Sequence, residues 1–158
     1  MEANTQNSSD LPRKKVLVVD DNPVIVKTVA FKLKAGGYDV LTAFDGGEAV
    51  AAVRKEKPDL ILLDISFPPD VGHGGGIPWD GFLIMEWIHR MEDAKNIPVI
   101  IITGGDPVRL EKKSLEAGAV AFFRKPIDHD GLINAVRRTL GDLTEPPTPG
   151  FDTTHTVR

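Results

Sequence analysis

The sequence contains no cysteine, so disulfide bonds, thiolate metal sites and cysteine nucleophiles are all excluded. It also lacks any apolar run close to the roughly 18 residues of a membrane-spanning helix. The first fifteen residues, MEANTQNSSDLPRKK, have no apolar stretch of the kind that a secretion signal needs. Lysine and arginine (19) do not outnumber aspartate and glutamate (23), which leaves a formal net charge of −4 and no general basic surface for nucleic-acid phosphates. These absences predict a cytoplasmic protein that binds neither membranes nor nucleic acid directly.

The composition of the chain is that of one globular domain. It has 158 residues, of which 41% are hydrophobic and 27% charged. Residues 1–12 are polar with almost nothing to bury, and residues 141–158 combine proline, threonine and glycine. We therefore predict disordered tails at both ends of one domain at 13–140. The eighteen residues of the second tail cannot form an output domain, which favours a stand-alone protein.

Short apolar runs alternate with helical patterns along the domain. The runs are VLVV at 16–19, DVLTA at 39–43, LILL at 60–63, VIII at 99–102 and AVAFF at 119–123. Three of them are continuous, as in strands that a parallel sheet buries on both faces. Apolar residues in the intervening segments recur at helical spacing, as at Ile25, Val29 and Leu33, at Leu132, Val136 and Leu140, and near 46–56, 81–92 and 107–117. This order predicts an α/β fold with a doubly wound parallel sheet and helices on both faces.

Chemically active side chains follow the predicted strands. Ligands of such sheets bind at the carboxyl ends of the strands, which here carry Asp20, Asp21, Asp64, Thr103 and Lys125. Three neighbouring carboxylates repel one another and require a cation. Their oxygen atoms suit Mg²⁺, which is commonly held by carboxylates together with phosphate oxygens. Lys125 and Thr103 could then face a phosphoryl group, and Asp64 is the natural nucleophile.

Four segments, KKVLVVDDNP, LILLDIS, VIIITGG and AFFRKP, resemble the signature segments of response-regulator receiver domains in two-component signalling. The resemblance covers about residues 14–140 and is specific, because four independent chemistries occur in the right order at the strand ends. It implies a flavodoxin-like five-stranded parallel sheet with the strand order 2-1-3-4-5. It also implies a single-domain protein, similar to chemotaxis regulators, that acts as a phosphorylation-activated switch.

The resemblance implies a metal site and a phosphoacceptor. Asp64 would be the phosphoacceptor. Asp20, Asp21 and Asp64, with the backbone carbonyl of Ser66, would hold Mg²⁺, and Asp21 would be a more direct ligand than Asp20. The donor would be a sensor histidine kinase or a phosphotransfer protein. Such a receiver is not a metabolic enzyme, although it catalyses its own aspartyl phosphorylation and dephosphorylation.

The resemblance also implies how the signal leaves the site. Thr103 and Lys125 would sense the phosphoryl group, and Phe122, three residues before Lys125, occupies the position of the switch aromatic. The Lys125-Pro126 bond resembles one that is cis in the family. Output would come by docking to a downstream protein target whose identity the sequence does not give.

One segment departs from the family pattern. Asp80 and Gly81, which should open the third helix, come sixteen residues after Asp64, whereas the connections in such folds are typically about 2–6 residues long. We therefore predict an insertion at about 70–79, DVGHGGGIPW, beside the active site. Its Trp79 is a candidate for contact with a partner.

Two alternative functions remain open. A haloacid-dehalogenase-like phosphohydrolase also combines an aspartyl nucleophile with a hydroxyl, a lysine and Mg²⁺. Its signature, however, has a second aspartate two residues after the nucleophile, where this chain has Ser66. A pseudo-receiver, a binding module that has lost phosphorylation, is disfavoured by the intact set of five active residues.

Overall fold

The computed structural model describes residues 12–65, 81–104 and 107–141. The predicted tails, apart from residues 12 and 141, lie outside the described residues, as do Ser66 and the predicted insertion at 70–79. Within the described part, five strands alternate with five helices. The strands are Lys15–Val19 (β1), Asp39–Ala43 (β2), Leu60–Asp64 (β3), Val99–Thr103 (β4) and Ala121–Arg124 (β5). The helices are Pro23–Ala35 (α1), Gly46–Glu56 (α2), Gly81–Arg90 (α3), Pro107–Glu116 (α4) and His129–Leu140 (α5).

The strands form one parallel sheet in the order β2-β1-β3-β4-β5, which confirms the flavodoxin-like fold. The three strands with continuous apolar sequences, β1, β3 and β4, occupy the centre of the sheet and are buried almost throughout. The edge strands β2 and β5 mix buried and exposed positions. Continuous hydrophobicity therefore identified the strands that helices cover on both faces.

Each face of the sheet carries its own hydrophobic core. On one face, side chains of α1 and α5 pack on the sheet; they include Val29, Leu33, Leu132 and Val136. On the other face, side chains of α2 and α3 pack on it; they include Ala49, Val53, Ile84 and Ile88. Alternate residues of each central strand enter opposite cores, as with Leu62 and Leu63 of β3. No helix among the described residues is long and apolar enough to cross a membrane.

Polar caps fix where the helices begin, close to the carboxyl ends of the strands. The Asn22 side chain accepts hydrogen bonds from the backbone of Val24 and Ile25, and proline at position 23 suits the first turn of α1. In α2, Asp45 accepts from the Glu48 backbone while the Glu48 side chain accepts from the Phe44 backbone. These two bonds resemble a capping box, except that the Glu48 side chain binds the residue before the N-cap Asp45 rather than Asp45 itself.

The fifth strand begins two residues later than the apolar run AVAFF predicts. Gly118 has a φ of +105°, and the Ala119 backbone N–H donates to the Ser114 carbonyl of α4 at 3.0 Å. Ala119 therefore completes the C-terminal cap of α4 before the chain enters β5. The third helix likewise ends at Arg90 rather than near 92, because the Met91 N–H turns back to the Ile88 carbonyl.

Candidate functional site

Three carboxylates meet at the carboxyl edge of the sheet, as the sequence predicts. Asp20 follows β1 and Asp64 ends β3, and these strands are neighbours in the sheet. Asp20, Asp21 and Asp64 each offer an oxygen, and these oxygens all lie within 4.8 Å of one another. Asp20 is 3% and Asp64 2% exposed, whereas Asp21 is exposed. The cluster is therefore buried at its base and open to solvent at Asp21.

The Asp20 carboxylate is fixed through both of its oxygens. Its Oδ1 accepts a hydrogen bond from the Asn22 backbone N–H at 2.9 Å, and its Oδ2 lies 2.9 Å from the Lys125 ammonium. Burial raises the pKa of Asp20 above its ordinary value of 3.8, and the bonds from Asn22 and Lys125 lower it without offsetting the burial. The buried charge of Asp20 therefore costs free energy that further positive charge at the site would reduce.

Lys125 joins the two buried carboxylates. Its Nζ lies 2.9 Å from Asp20 Oδ2 and 3.1 Å from Asp64 Oδ2, and its side chain is 20% exposed. Burial lowers the pKa of Lys125, but the hydrogen bond to Asp20 and the charge of Asp64 outweigh it and raise that pKa above its ordinary value of 10.5. The ammonium therefore stays charged at neutral pH.

The ends of β4 and β5 hold the remaining predicted residues. Thr103, the last residue of β4, is fully buried, and its carbonyl accepts a hydrogen bond from the Lys125 backbone N–H at 2.9 Å. The Lys125-Pro126 peptide bond is cis, as the resemblance implies. Phe122 is 8% exposed and packs in the core between the sheet and α2 and α3. The structure thus brings Thr103 to the same sheet edge as the carboxylates and places Phe122 beneath that edge.

Comparison with known proteins decides the family. A family model described as "Response regulator receiver domain" matches residues 16–137. The chain belongs to the response regulator receiver family. Over 126 residues this receiver is 31% identical to RpaA of Synechocystis, described as a DNA-binding dual master transcriptional regulator. That match covers 80% of this chain and 48% of RpaA, so the chain spans about half the length of this curated relative.

Solved receiver structures resemble the chain over most of its length. A CheY-like receiver domain protein from Methanospirillum hungatei is 28% identical, with a TM-score of 0.71 over 83% of this chain and 96% of that one. The chemotaxis response regulator CheY4 of Vibrio cholerae is also 28% identical, with a TM-score of 0.68 over 81% and 99% of the two chains. These matches agree with the flavodoxin-like topology.

The acidic triad of this receiver fits a divalent metal ion. Three carboxylates and one ammonium carry a formal charge of −2 together, which a divalent cation balances. The ligand atoms are carboxylate oxygens, which Mg²⁺ prefers, and the exposure of Asp21 leaves room for the waters that Mg²⁺ retains. Such an aspartate triad is typical of the Mg²⁺ site of receivers.

Sequence reasoning missed two features of the site. The first is Asn22, whose side chain caps α1 and whose backbone N–H donates a hydrogen bond to the Asp20 carboxylate. The order Asp-Asp-Asn-Pro after the first strand carried the signal for both roles. The second feature is the close approach of Gly81 to Ile65, the residue after Asp64. No local pattern predicts it, because the contact depends on where α3 returns to the sheet.

Proposed function

We propose that the chain is a phosphorylation-dependent signalling switch that accepts a phosphoryl group on Asp64. Receiver domains partner histidine kinases, and we propose a sensor histidine kinase or a phosphotransfer protein as the donor. The observation that carries the proposal is the convergence of the Asp20, Asp21 and Asp64 carboxylates within 4.8 Å, with Lys125 3.1 Å from Asp64. This arrangement combines a nucleophile, a metal-binding group and a fixed positive charge at one sheet edge.

In the proposed reaction an Asp64 carboxylate oxygen attacks the phosphorus atom of the donor. A phosphorus–oxygen bond to Asp64 forms, the bond between phosphorus and the donor's leaving atom breaks, and the leaving group takes the bonding electrons. Hydrolysis by water later returns the Asp64 carboxylate and inorganic phosphate. Asp20, Asp21 and Asp64 would hold Mg²⁺, which would supply positive charge toward the phosphoryl oxygens.

Lys125 has a further proposed role at the phosphorylated site. Before transfer the Lys125 ammonium lies 3.1 Å from Asp64 Oδ2. After transfer, a short movement of this side chain would bring the ammonium to the oxygens attached to phosphorus. We assign Thr103 and Lys125 to contacts with those oxygens and Phe122 to the resulting change in packing. The changed surface, at 107–128, would dock a downstream protein.

We propose that residues 1–12 and residues 141–158 are tails on either side of the domain. We also propose that residues 70–79 are an insertion near the site.

Uptake of phosphate from acetyl phosphate tests the proposal. The full chain with Mg²⁺ should acquire one phosphoryl group that base and hydroxylamine remove, and the chelator EDTA should prevent this. A phosphohydrolase would instead release phosphate rapidly with no label accumulating on the chain while acetyl phosphate is still present. A pseudo-receiver would show neither label nor release, and either of these results contradicts the proposal.

A further inference from the structure

Among the side chains whose burial the structure describes, helix α4 has fewer buried ones than the other helices. Helices α1, α2 and α3 each bury four residues and α5 buries three. Among the described side chains of α4, Ser114 alone is buried, and its hydroxyl donates to the Leu110 carbonyl of the same helix at 2.6 Å. Leu110 and Ala117 are half-buried against the core. With so little burial, single contacts of α4 should have a large share in fixing its position.

One such contact joins α4 to the first turn of α3. The Lys113 ammonium of α4 lies 4.4 Å from the centroid of the Phe82 ring, which is a cation–π geometry. Phe82 is half-buried and packs against the core that contains Ile65 and Phe122. At an exposed site such a contact is worth a factor of about two to five in an equilibrium constant.

The same turn of α3 lies directly against the residue that follows Asp64. Gly81 is buried, and a Cβ atom added to it would lie 2.5 Å from Ile65 Cα, closer than atoms can approach. Ile65 in turn donates its backbone N–H to the Ile102 carbonyl of β4 at 3.2 Å. Because no side chain separates Gly81 from Ile65, a backbone shift at Ile65 would press directly on the start of α3.

We propose that occupation of Asp64 reaches α4 by a second route, through the first turn of α3. The route runs along the chain from Asp64 to Ile65 and by close contact from Ile65 to Gly81. It continues along the chain to Phe82 and by the cation–π contact to Lys113. It rests on the proposed function, and it includes neither Thr103 nor Phe122. A phosphoryl group on Asp64 alters the charge and position of the strand end, Ile65 presses on Gly81, and the Phe82 ring shifts beneath Lys113. The weakly anchored α4 then changes its mean position.

Amide chemical shifts of the ¹⁵N-labelled full chain test this route. Beryllofluoride with Mg²⁺ serves as the stand-in for the phosphoryl group, and saturation is read from the amides of Asp64 and Ile65. In a Thr103→Ala background at saturation, α4 amides at 110–116 should still shift. Adding Lys113→Gln or Phe82→Leu should reduce those remaining shifts by up to about two- to five-fold, because losing one cation–π contact changes the equilibrium constant for the α4 position by that factor and its population by no more. Lys112→Gln is the matched control, because it removes the same charge from an exposed neighbouring position.

The outcomes separate this inference from the proposed function. If the wild-type amides of Asp64 and Ile65 do not respond to beryllofluoride, the proposed function fails. If they respond but α4 does not shift in Thr103→Ala, the second route is wrong. Equal effects of Lys112→Gln and Lys113→Gln would also overturn it, since charge alone would then account for the result.

Hydrogen exchange distinguishes a coupling role from a merely structural one. In the ligand-free protein, Lys113→Gln should speed exchange of α4 amides by about two- to five-fold, and Lys112→Gln should not. Beryllofluoride should change α4 exchange in the wild type and change it less in Lys113→Gln. If Lys113→Gln speeds exchange by the same factor with and without the ligand, the contact only stabilises α4, and the inference is contradicted.

Discussion

The Lys125 ammonium nitrogen lies 2.9 Å from Oδ2 of Asp20, a carboxylate that is only 3% exposed. The same nitrogen reaches Asp64 at 3.1 Å, so one side chain neutralises part of the charge of two buried acids. Breaking a buried ion pair by removing one partner is far more costly than breaking a surface pair. Lys125 is therefore expected to support the fold of the metal-free protein as well as its chemistry.

Replacing Lys125 by methionine should lower the free energy of unfolding by about 3 kcal/mol in EDTA, because it leaves two buried carboxylates without their counter-ion. Mg²⁺ should restore part of this loss, since the cation supplies the missing positive charge. Urea denaturation with and without Mg²⁺ measures both effects. Lys57→Met is the control: Lys57 pairs with Asp93 at 3.6 Å, both are largely exposed, and a loss below about 1 kcal/mol is expected. Equal losses in the two variants would contradict a supporting role for Lys125.

The raised pKa of Asp20 predicts a pH dependence of stability in the metal-free protein. The folded state keeps the proton of Asp20 at pH values where the unfolded state, with a pKa near 3.8, has lost it. The free energy of unfolding should therefore decrease as the pH rises from 3.8 through the raised pKa of folded Asp20. Asp20→Asn lacks this contribution, so the wild-type value should fall relative to the variant across that range. Urea denaturation in EDTA at several pH values measures it.

The exposed Asp39 on β2 offers the control for that experiment. Asp39→Asn removes one carboxylate at a distance from the buried cluster, so the wild type and this variant should change in parallel over the same pH range. If the free energy of unfolding of the wild type, relative to that of Asp20→Asn, stays constant or rises with pH, the assigned effect of burial is contradicted.

Asp21 is expected to contribute to metal affinity. It is the exposed member of the acidic triad, and Asp21→Ala removes one of three carboxylate ligands. Mg²⁺ should bind about ten-fold more weakly or worse, which corresponds to about 1.4 kcal/mol. Isothermal titration calorimetry measures the affinity, and Asp93→Ala, at an exposed aspartate outside the triad, should bind like wild type. Equal affinities for Asp21→Ala and wild type would remove Asp21 from the ligand set.

Phe122 and Phe123 provide a matched pair for the proposed switch. Phe122 packs in the core beside α2 and α3, whereas Phe123 packs against the core on the other face of the sheet. Phe122→Leu should leave phosphate uptake at Asp64 unchanged but diminish the shifts that beryllofluoride induces at 119–124, because the ring that must move is absent. Phe123→Leu should keep those shifts. If the two variants respond alike, Phe122 has no special role in the response.

Most of the fold could be predicted from the sequence because hydrophobic periodicity reflects burial directly. The continuous apolar runs of β1, β3 and β4 predicted strands that are buried on both faces, and the structure confirms this burial. The acidic site could be predicted for a related reason: parallel strands all end at one sheet edge, so Asp20, Asp21 and Asp64 had to meet there once the strands were correct.

The sequence was less informative about contacts between helices and about cap residues. The start of β5 was predicted too early because Ala119 is apolar but belongs to the C-terminal cap of α4. The Lys113–Phe82 contact depends on the relative placement of α3 and α4, which no local pattern records. The close approach of Gly81 to Ile65 likewise requires the three-dimensional fold. The predicted insertion at 70–79 and the backbone ligand at Ser66 lie outside the described residues and stay predictions.

We propose Asp64 as the phosphoacceptor, and mapping the modified residue tests this assignment most directly. The full chain is incubated with acetyl phosphate and Mg²⁺, the acyl phosphate is reduced with borohydride, and the peptides are analysed by mass spectrometry. We expect one modified residue, Asp64, and no modification in Asp64→Asn, a variant that should stay folded because it removes one of three repelling charges. Modification of a different residue, or equal phosphate uptake by Asp64→Asn and the wild type, would contradict the account.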